Sequence, residues 1–239
     1  MQLTAKIEPF DSFWEAPANI EKGYDSFHRF YRSNYLKYIP AERQSRILVI
    51  SCGPGYFVNL LKDSGYPNVQ GIDSDQRKID CARKRSLNCR VEKAFDFLEA
   101  NGEVFDVIVA EQELNHLTKE EILEFLGLCH RNLKDDGILL VHSLNGANPI
   151  TGAEALAQNF DHFNSFTESS LRQVLELTNY QDIHVFPLNL YVFYHNPLNY
   201  IGMFLTKSLS AAFRICFMLY GKSNRIFSKK IAAVCRKKT

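Results

Sequence analysis

Residues 47–57, ILVISCGPGYF, constrain this chain more than any other stretch. Ile47, Leu48, Val49 and Ile50 form a continuous apolar run of the kind that fills a strand buried on both faces. Gly53 and Gly55 follow at once, and residues 56–64 then read as a helix. That order brings backbone N–H groups to the helix start, and glycine lets a ligand approach them closely. A second strand, NVQGID (68–73), ends in Asp73. A carboxylate there can accept both hydroxyls of a ribose. A nicotinamide-binding turn would read G-x-G-x-x-G, but Val58 stands at the third glycine, so the turn points to a nucleoside-type ligand instead.

The remaining chain repeats the alternation. Residues 20–39 read as an aromatic-rich helix ended by Pro40. Residues 75–86 read as a polar helix with Ile79 and Ala82 inward. Residues 91–95 (VEKAF) read as a short strand, and 105–111 (FDVIVAE) as a buried strand ending in an acid. Thr118 and Glu121 have the spacing of a capping box, so a helix should begin there. GILLVHSL (137–144) is a further buried strand, Thr167 caps a helix over ESSLRQVLELT, and QDIHVFPL (181–188) and IAAVC (231–235) are the closing strands. Strands alternating with helices argue for an α/β fold, a parallel sheet with helices on both faces. Ligands in such sheets bind at the carboxyl ends of the strands.

Charge divides the chain unevenly. Net charge is +1, from 28 Lys/Arg against 27 Asp/Glu, yet all the acids lie before residue 190. Residues 190–239 hold nine basic residues and no acid, so that segment suits an acidic surface such as anionic lipid. Lys207, Arg214 and Lys222 interrupt its apolar run, which argues against a membrane span. The six cysteines form no CxxC pair and no zinc spacing, consistent with reduced thiols. The N-terminal residues lack a signal-like apolar core, so the expected location is cytoplasmic and peripheral at the inner membrane. No aromatic-basic stripe points to nucleic acid.

The segment ILVISCGPGYFVNLLKDSGYPNVQGIDSD resembles the first two motifs of class I S-adenosylmethionine-dependent methyltransferases. AFDFLEANGEVFDVIVAEQELNHLTKEEILEFLGLCHRNLKDDGILLVHSLNGANP is similar to their middle part, and NFDHFNSFTESSLRQVLELTNY resembles a bacterial subgroup found among polysaccharide-assembly enzymes. The resemblance implies a Rossmann-like seven-stranded, mostly parallel sheet whose last strand is antiparallel. It divides the chain into an N-terminal arm or lid (1–40), a cofactor-binding core (41–190) and a basic helical insertion with the final strand (191–239).

By that resemblance Ser51, Gly53 and Gly55 line the methionine part of S-adenosylmethionine. Asp73 binds the ribose with Ser74 beside it, and Ala94 and Phe95 border the adenine. Glu111 and Gln112 lie near the amino-acid end or the methyl group. From the arm, Arg29, Tyr31 or Arg32 would meet the cofactor carboxylate. Three positions depart from the family pattern: Val49 and Lys93 stand where acids are usual, and Ser51 where glycine is. Each lost acceptor should weaken binding by roughly 1–3 kcal/mol. Glu92 could stand in for the acid missing at Lys93.

Methyl transfer to an alcohol needs alignment and a base for the hydroxyl proton. Histidine suits that task near neutral pH. His116 in ELNHLTKEE and His162 in NFDHFNSFT match histidines of the family and of the subgroup, and Asp161 could orient His162 or act as the base itself. Gln112, Glu113 and Asn115 break the E-x-x-E-H pattern by which some relatives hold a metal, so no metal is expected. The expected activity is O-methylation of a sugar hydroxyl in a bacterial polysaccharide or its precursor. Two alternatives stay open: a binding scaffold on the same fold, and methylation of a small molecule such as a quinone precursor.

Overall fold

The computed structural model of the chain describes residues 19–111, 113–188 and 198–238. Seven strands form one sheet in the order β3-β2-β1-β4-β5-β7-β6. They are β1 (Ile47–Ile50), β2 (Val69–Asp73), β3 (Cys89–Val91), β4 (Phe105–Ala110), β5 (Leu133–Leu144), β6 (Tyr180–Pro187) and β7 (Lys230–Lys237). β1 pairs in parallel with β2 and β4, β2 with β3, and β4 with β5. β7 is antiparallel to both β5 and β6, as the resemblance implied.

Strand alternation distributes the core to two faces, because successive side chains point oppositely. Val49, Val107, Val109 and Leu140 join one cluster with Tyr31, Tyr35, Phe57, Leu61 and Ile79. These come from α1 (Ile20–Asn34), the turn at Tyr35, α2 (Tyr56–Asp63) and α3 (Gln76–Lys84). Leu48, Ile50, Ile108, Leu139 and Val141 join the opposite cluster with Leu98, Phe125, Leu126, Leu171 and Leu175. Those helical residues belong to α4 (Ala94–Ala100), α5 (Lys119–Asn132) and α7 (Glu168–Leu177). The two faces explain why the central strands read as unbroken apolar runs.

The capping signals hold. Thr118 Oγ1 accepts from Glu121 N at 3.3 Å while Glu121 Oε2 accepts from Thr118 N at 2.8 Å. Thr167 Oγ1 accepts from Ser170 N at 3.2 Å at the start of α7.

Two expectations change. Residues 91–95 are not a strand: β3 ends at Val91, and Ala94 and Phe95 open α4. Phe95, Phe97 and Leu98 give AFDFLEA an apolar face that packs on the α5 side of the sheet, and that burial overrides the short alternating pattern. Residues 198–219, within the expected basic helical insertion, form one continuous 22-residue helix, α8. Its Tyr200–Leu219 portion is long and apolar enough to cross a membrane despite Lys207 and Arg214. Of the N-terminal arm, residues 1–18 lie outside the described residues, as do 189–197.

Candidate active site

The glycine turn sits where β1 ends. Cys52 N donates to Ile72 O at 3.0 Å, which carries the ladder two residues past β1. The chain then reverses through left-handed backbone: φ is +54° at Ser51, +54° at Gly53 and +83° at Gly55. A β-carbon at Gly55 would also lie 2.8 Å from Leu87 Cδ1, so both torsion and space demand glycine there. Ser51 adopts the conformation in which the resemblance expected glycine, and a side chain there carries a left-handed strain of about 1–2 kcal/mol.

Asp73 closes the turn from β2. Its Oδ2 accepts from Gly53 N at 2.8 Å and its Oδ1 from Asp75 N at 2.8 Å. Both of its oxygens are acceptors, the kind of group that ribose hydroxyls need. Ser74, exposed, follows it. Ala94 and Phe95 lie half-buried at the start of α4, on the same edge of the sheet. The residue before α4 is Lys93, whose side chain is exposed and makes no cap bond. Glu92 is exposed too, and its backbone N donates to Asp73 O at 3.0 Å. Val49 is fully buried among apolar side chains and reaches no polar function.

α1 covers the turn. Tyr24 Oη donates to Pro54 O at 2.6 Å, and the Tyr56 hydroxyl returns a bond to Ile20 O at 3.2 Å. Tyr31 Oη donates to Glu111 Oε2 at 2.7 Å. Tyr31 is therefore the arm residue that reaches the site, while Arg29 and Arg32 lie exposed. Glu111 continues from β4, its N donating to Ile50 O at 3.3 Å, so its carboxylate stands at the carboxyl edge next to the glycine turn. Gln112 lies outside the described residues. The left-handed glycines, the Asp73 carboxylate and the acid at Glu111 together fit a nucleoside bearing an amino-acid tail.

The second cluster comes from two loops far apart in sequence. One turn of 3-10 helix (Glu113–His116) follows β4, and the loop after β5 carries α6 (Gly152–Ala157), Asp161 and His162. His116 Nδ1 lies 3.0 Å from Asp161 Oδ2, and the rings of His116 and His162 meet edge-to-face at 4.9 Å. Asp161 thus lies against His116, where the sequence offered it as a partner of His162 or as the base itself. The carboxylate fixes the His116 proton on Nδ1 and leaves Nε2 as the basic nitrogen. Burial lowers the His116 pKa below its usual 6.5, the Asp161 carboxylate opposes that shift, and His162 adds to it. The imidazole is therefore neutral at pH 7, as a base must be. His162 is occupied at both nitrogens: Nδ1 meets Ala155 O at 2.7 Å, and Nε2 meets Asn159 Nδ2 at 3.3 Å.

Asn115 holds the two loops together, a role the sequence did not disclose. It is fully buried, and its Oδ1 accepts from Ser143 Oγ at 2.7 Å and from Leu144 N at 3.1 Å. Its backbone oxygen accepts from Phe163 N at 2.8 Å. The end of β5 is therefore tied to the Asn115 side chain, and the residue after His162 to its backbone oxygen, so both meet at one residue of the turn before α5. The only hint in the sequence was an asparagine where the family pattern carries an acid.

Comparison with known proteins now adds to this geometry. The profile of a methyltransferase-domain family matches residues 24–185. The chain belongs to that family. It is a class I S-adenosylmethionine-dependent methyltransferase by fold and family, and S-adenosylmethionine is its cofactor. A ribosomal protein L11 methyltransferase of Dictyoglomus turgidum is 31% identical over 101 residues, which is 41% of this chain and 32% of that protein. The matched stretch thus spans about a third of that relative's length.

Among solved structures, an S-adenosylmethionine-dependent methyltransferase from Archaeoglobus fulgidus superposes with a TM-score of 0.65 at 17% identity, covering 91% of this chain and 98% of that one. A chain from the complex of the Haloferax volcanii Trm112 activator with a methyltransferase gives 0.67 at 15% identity, covering 97% and 100%. Phosphoethanolamine N-methyltransferase 2 of Haemonchus contortus, solved with S-adenosyl-L-methionine, gives 0.60 at 14% identity, covering 98% of this chain and 61% of that one. At these identities the likeness is one of fold.

Proposed function

We propose that this methyltransferase O-methylates a sugar hydroxyl of a bacterial polysaccharide or its precursor, with His116 as general base and Asp161 as its positioning partner. The observation that carries the base assignment is the 3.0 Å contact between His116 Nδ1 and Asp161 Oδ2 at the carboxyl edge of the sheet. When bound, S-adenosylmethionine supplies an electrophilic methyl carbon and leaves as the neutral thioether. His116 Nε2 takes the acceptor's hydroxyl proton as the oxygen–methyl bond forms, and the Asp161 carboxylate stabilises the resulting imidazolium. Tyr31 and Glu111 hold the cofactor edge of the same site. The sugar acceptor rests on the resemblance of residues 159–180 to polysaccharide-associated enzymes.

A small-molecule acceptor is the second reading. It is favoured by Ile150 and Phe160, two apolar side chains 61% and 77% exposed on the loop that carries His162. The scaffold reading is favoured by Val49 and Lys93, which supply no acceptor where the family pattern has acids.

The deciding experiment follows label from methyl-tritiated S-adenosylmethionine into glycan, quinone and protein fractions of a cell extract, with His116→Ala, His162→Ala and Asp161→Asn in parallel. The expected result is label in glycan and a loss of about 10²–10⁴-fold for His116→Ala. The acid limb of its pH–rate profile should disappear with it, while His162→Ala should retain activity within about tenfold. One ligand atom from each of His116, Asp161 and His162 lies within 4.8 Å of the others, a spacing that a divalent cation could bridge. A chelator arm separates the two chemistries, and an unchanged rate is expected. Label confined to quinone or protein refutes the acceptor. Full activity in His116→Ala, or loss of activity on chelation, refutes the metal-free base.

A further inference from the structure

Helix α8 is the feature that the methyltransferase fold leaves unexplained. It runs from Leu198 to Leu219, and among the described residues one strip of it is half-buried against the rest of the protein. Met203, Ser210, Phe213 and Phe217 are half-buried, and at about 100° per residue they share one face. Phe213 and Phe217 pack on Phe227 with ring centroids at 6.0 and 4.7 Å. The opposite face is apolar and open to solvent. Ile201, Phe204, Leu205, Ile215 and Leu219 recur there at helical spacing, all more than half exposed. Apolar surface of that extent, on one unpartnered face, marks a binding surface rather than scattered exposed residues.

Charge identifies the occupant. Lys207 and Arg214 stand seven residues apart, so both fall on one flank between the docked and the open faces. Lys222, Arg225 and Lys229 follow, all exposed, in a region without a single acid from residue 190 to 239. A helix with an apolar face and a basic flank fits the interface of an anionic bilayer, lying in its plane with the charges at the phosphate level. A spanning arrangement would carry Lys207 and Arg214 into the hydrocarbon, which is costly.

Position gives the helix its purpose. β6 ends and β7 begins at the carboxyl edge of the parallel strands, since Pro187 pairs with Ile231 and Leu144 with Lys230. α8 therefore leaves and returns at the edge that carries the glycine turn and His116. The return is clamped to the loop after β5: Asn145 Nδ2 donates to Ile226 O at 3.0 Å and Ser228 O at 2.9 Å, and Asn148 Nδ2 donates to Phe227 O at 2.6 Å. Exposed Ile150 and Phe160 belong to that same loop.

We infer that α8 lies flat on an anionic phospholipid surface through Ile201, Phe204, Leu205, Ile215 and Leu219, and so turns the carboxyl edge of the sheet toward the membrane. Taken with the reading of the site as a glycan methyltransferase, the acceptor is then a glycan carried on lipid.

The test is co-sedimentation of the full chain with vesicles of phosphatidylcholine alone or mixed equally with phosphatidylglycerol, at low and high salt. Binding should require phosphatidylglycerol and weaken with salt. Phe204→Asp with Ile215→Asp should abolish it. Lys207→Gln with Arg214→Gln should weaken it by about 25-fold, roughly fivefold for each charge. Calorimetric titration with S-adenosylhomocysteine is read on every variant. An unchanged dissociation constant shows that the fold is intact and separates failure of the membrane surface from failure of the cofactor site. Lack of sedimentation with phosphatidylglycerol vesicles overturns the inference, as does binding that survives the two aspartates. Light scattering that shows a dimer dissolved by those aspartates, without vesicle binding, would assign the face to a second copy instead. Resistance of the bound protein to alkaline carbonate would overturn the flat orientation.

Discussion

Replacing Asp73 by asparagine separates the two tasks of that carboxylate. In the free protein it accepts from Gly53 N and Asp75 N, each at 2.8 Å, one per oxygen. Asparagine keeps one acceptor oxygen and presents an NH₂ to the other backbone donor. One charge-assisted bond is lost, worth about 1.5–3 kcal/mol. For a chain of this size each kcal/mol lowers the melting temperature by about 2–4 °C, so a fall of about 3–12 °C is expected. The cofactor loses in addition. Its ribose hydroxyls would meet a neutral amide with one acceptor, so a further 1.5–3 kcal/mol should disappear from binding, or roughly ten- to 150-fold in dissociation constant.

Differential scanning calorimetry reads the first quantity, and isothermal titration with S-adenosylmethionine the second. If the melting temperature falls while the dissociation constant stays within about threefold, Asp73 holds the turn without touching the ribose. If neither changes, the two backbone bonds carry nothing, and the account of the turn is wrong.

Two further outcomes follow from the same structure. Lys93→Asp places an acceptor at the N-cap of α4, where no side chain now caps the helix. It should raise stability by about 1 kcal/mol and tighten S-adenosylmethionine binding; a titration showing unchanged or weaker affinity would remove Lys93 as the cause of a weakened adenine end. His142 is buried on β5, with the Tyr35 hydroxyl on Nδ1 and, among the described residues, no hydrogen-bond partner on Nε2, and burial holds its pKa well below 6.5. The unfolded chain binds that proton first, so stability is fully present above about pH 6.5 and falls as the pH drops toward the folded value. The slope in denaturant titrations should approach 1.4 kcal/mol per pH unit from this residue and be lost in His142→Gln; an unchanged slope would refute the assignment.

Much of the fold was legible because its signals are local. The runs at 47–50 and 105–110, the capping boxes at Thr118 and Thr167, and the glycine turn each specify their element within a few residues. The stretch VEKAFDFLEA misled because a short segment satisfies both periodicities, and only packing against the α5 side of the sheet selects the helix. The site divides in the same way. Gly53, Gly55 and Asp73 sit at fixed offsets from two adjacent strands, so their meeting follows from the order of elements. His116 and Asp161 lie in separate loops that only the β4–β5 crossover and the Asn115 bonds bring together.

The sequence by itself thus determined a doubly covered sheet, its cofactor edge and the helix starts, since period-2 and period-3.6 patterns and backbone torsions act over neighbouring residues. Tertiary structure alone decided that Asp161 serves His116, that Tyr31 reaches Glu111, and that α8 turns an apolar face outward. Each of those depends on the relative placement of elements distant along the chain, which burial of the whole core fixes at once.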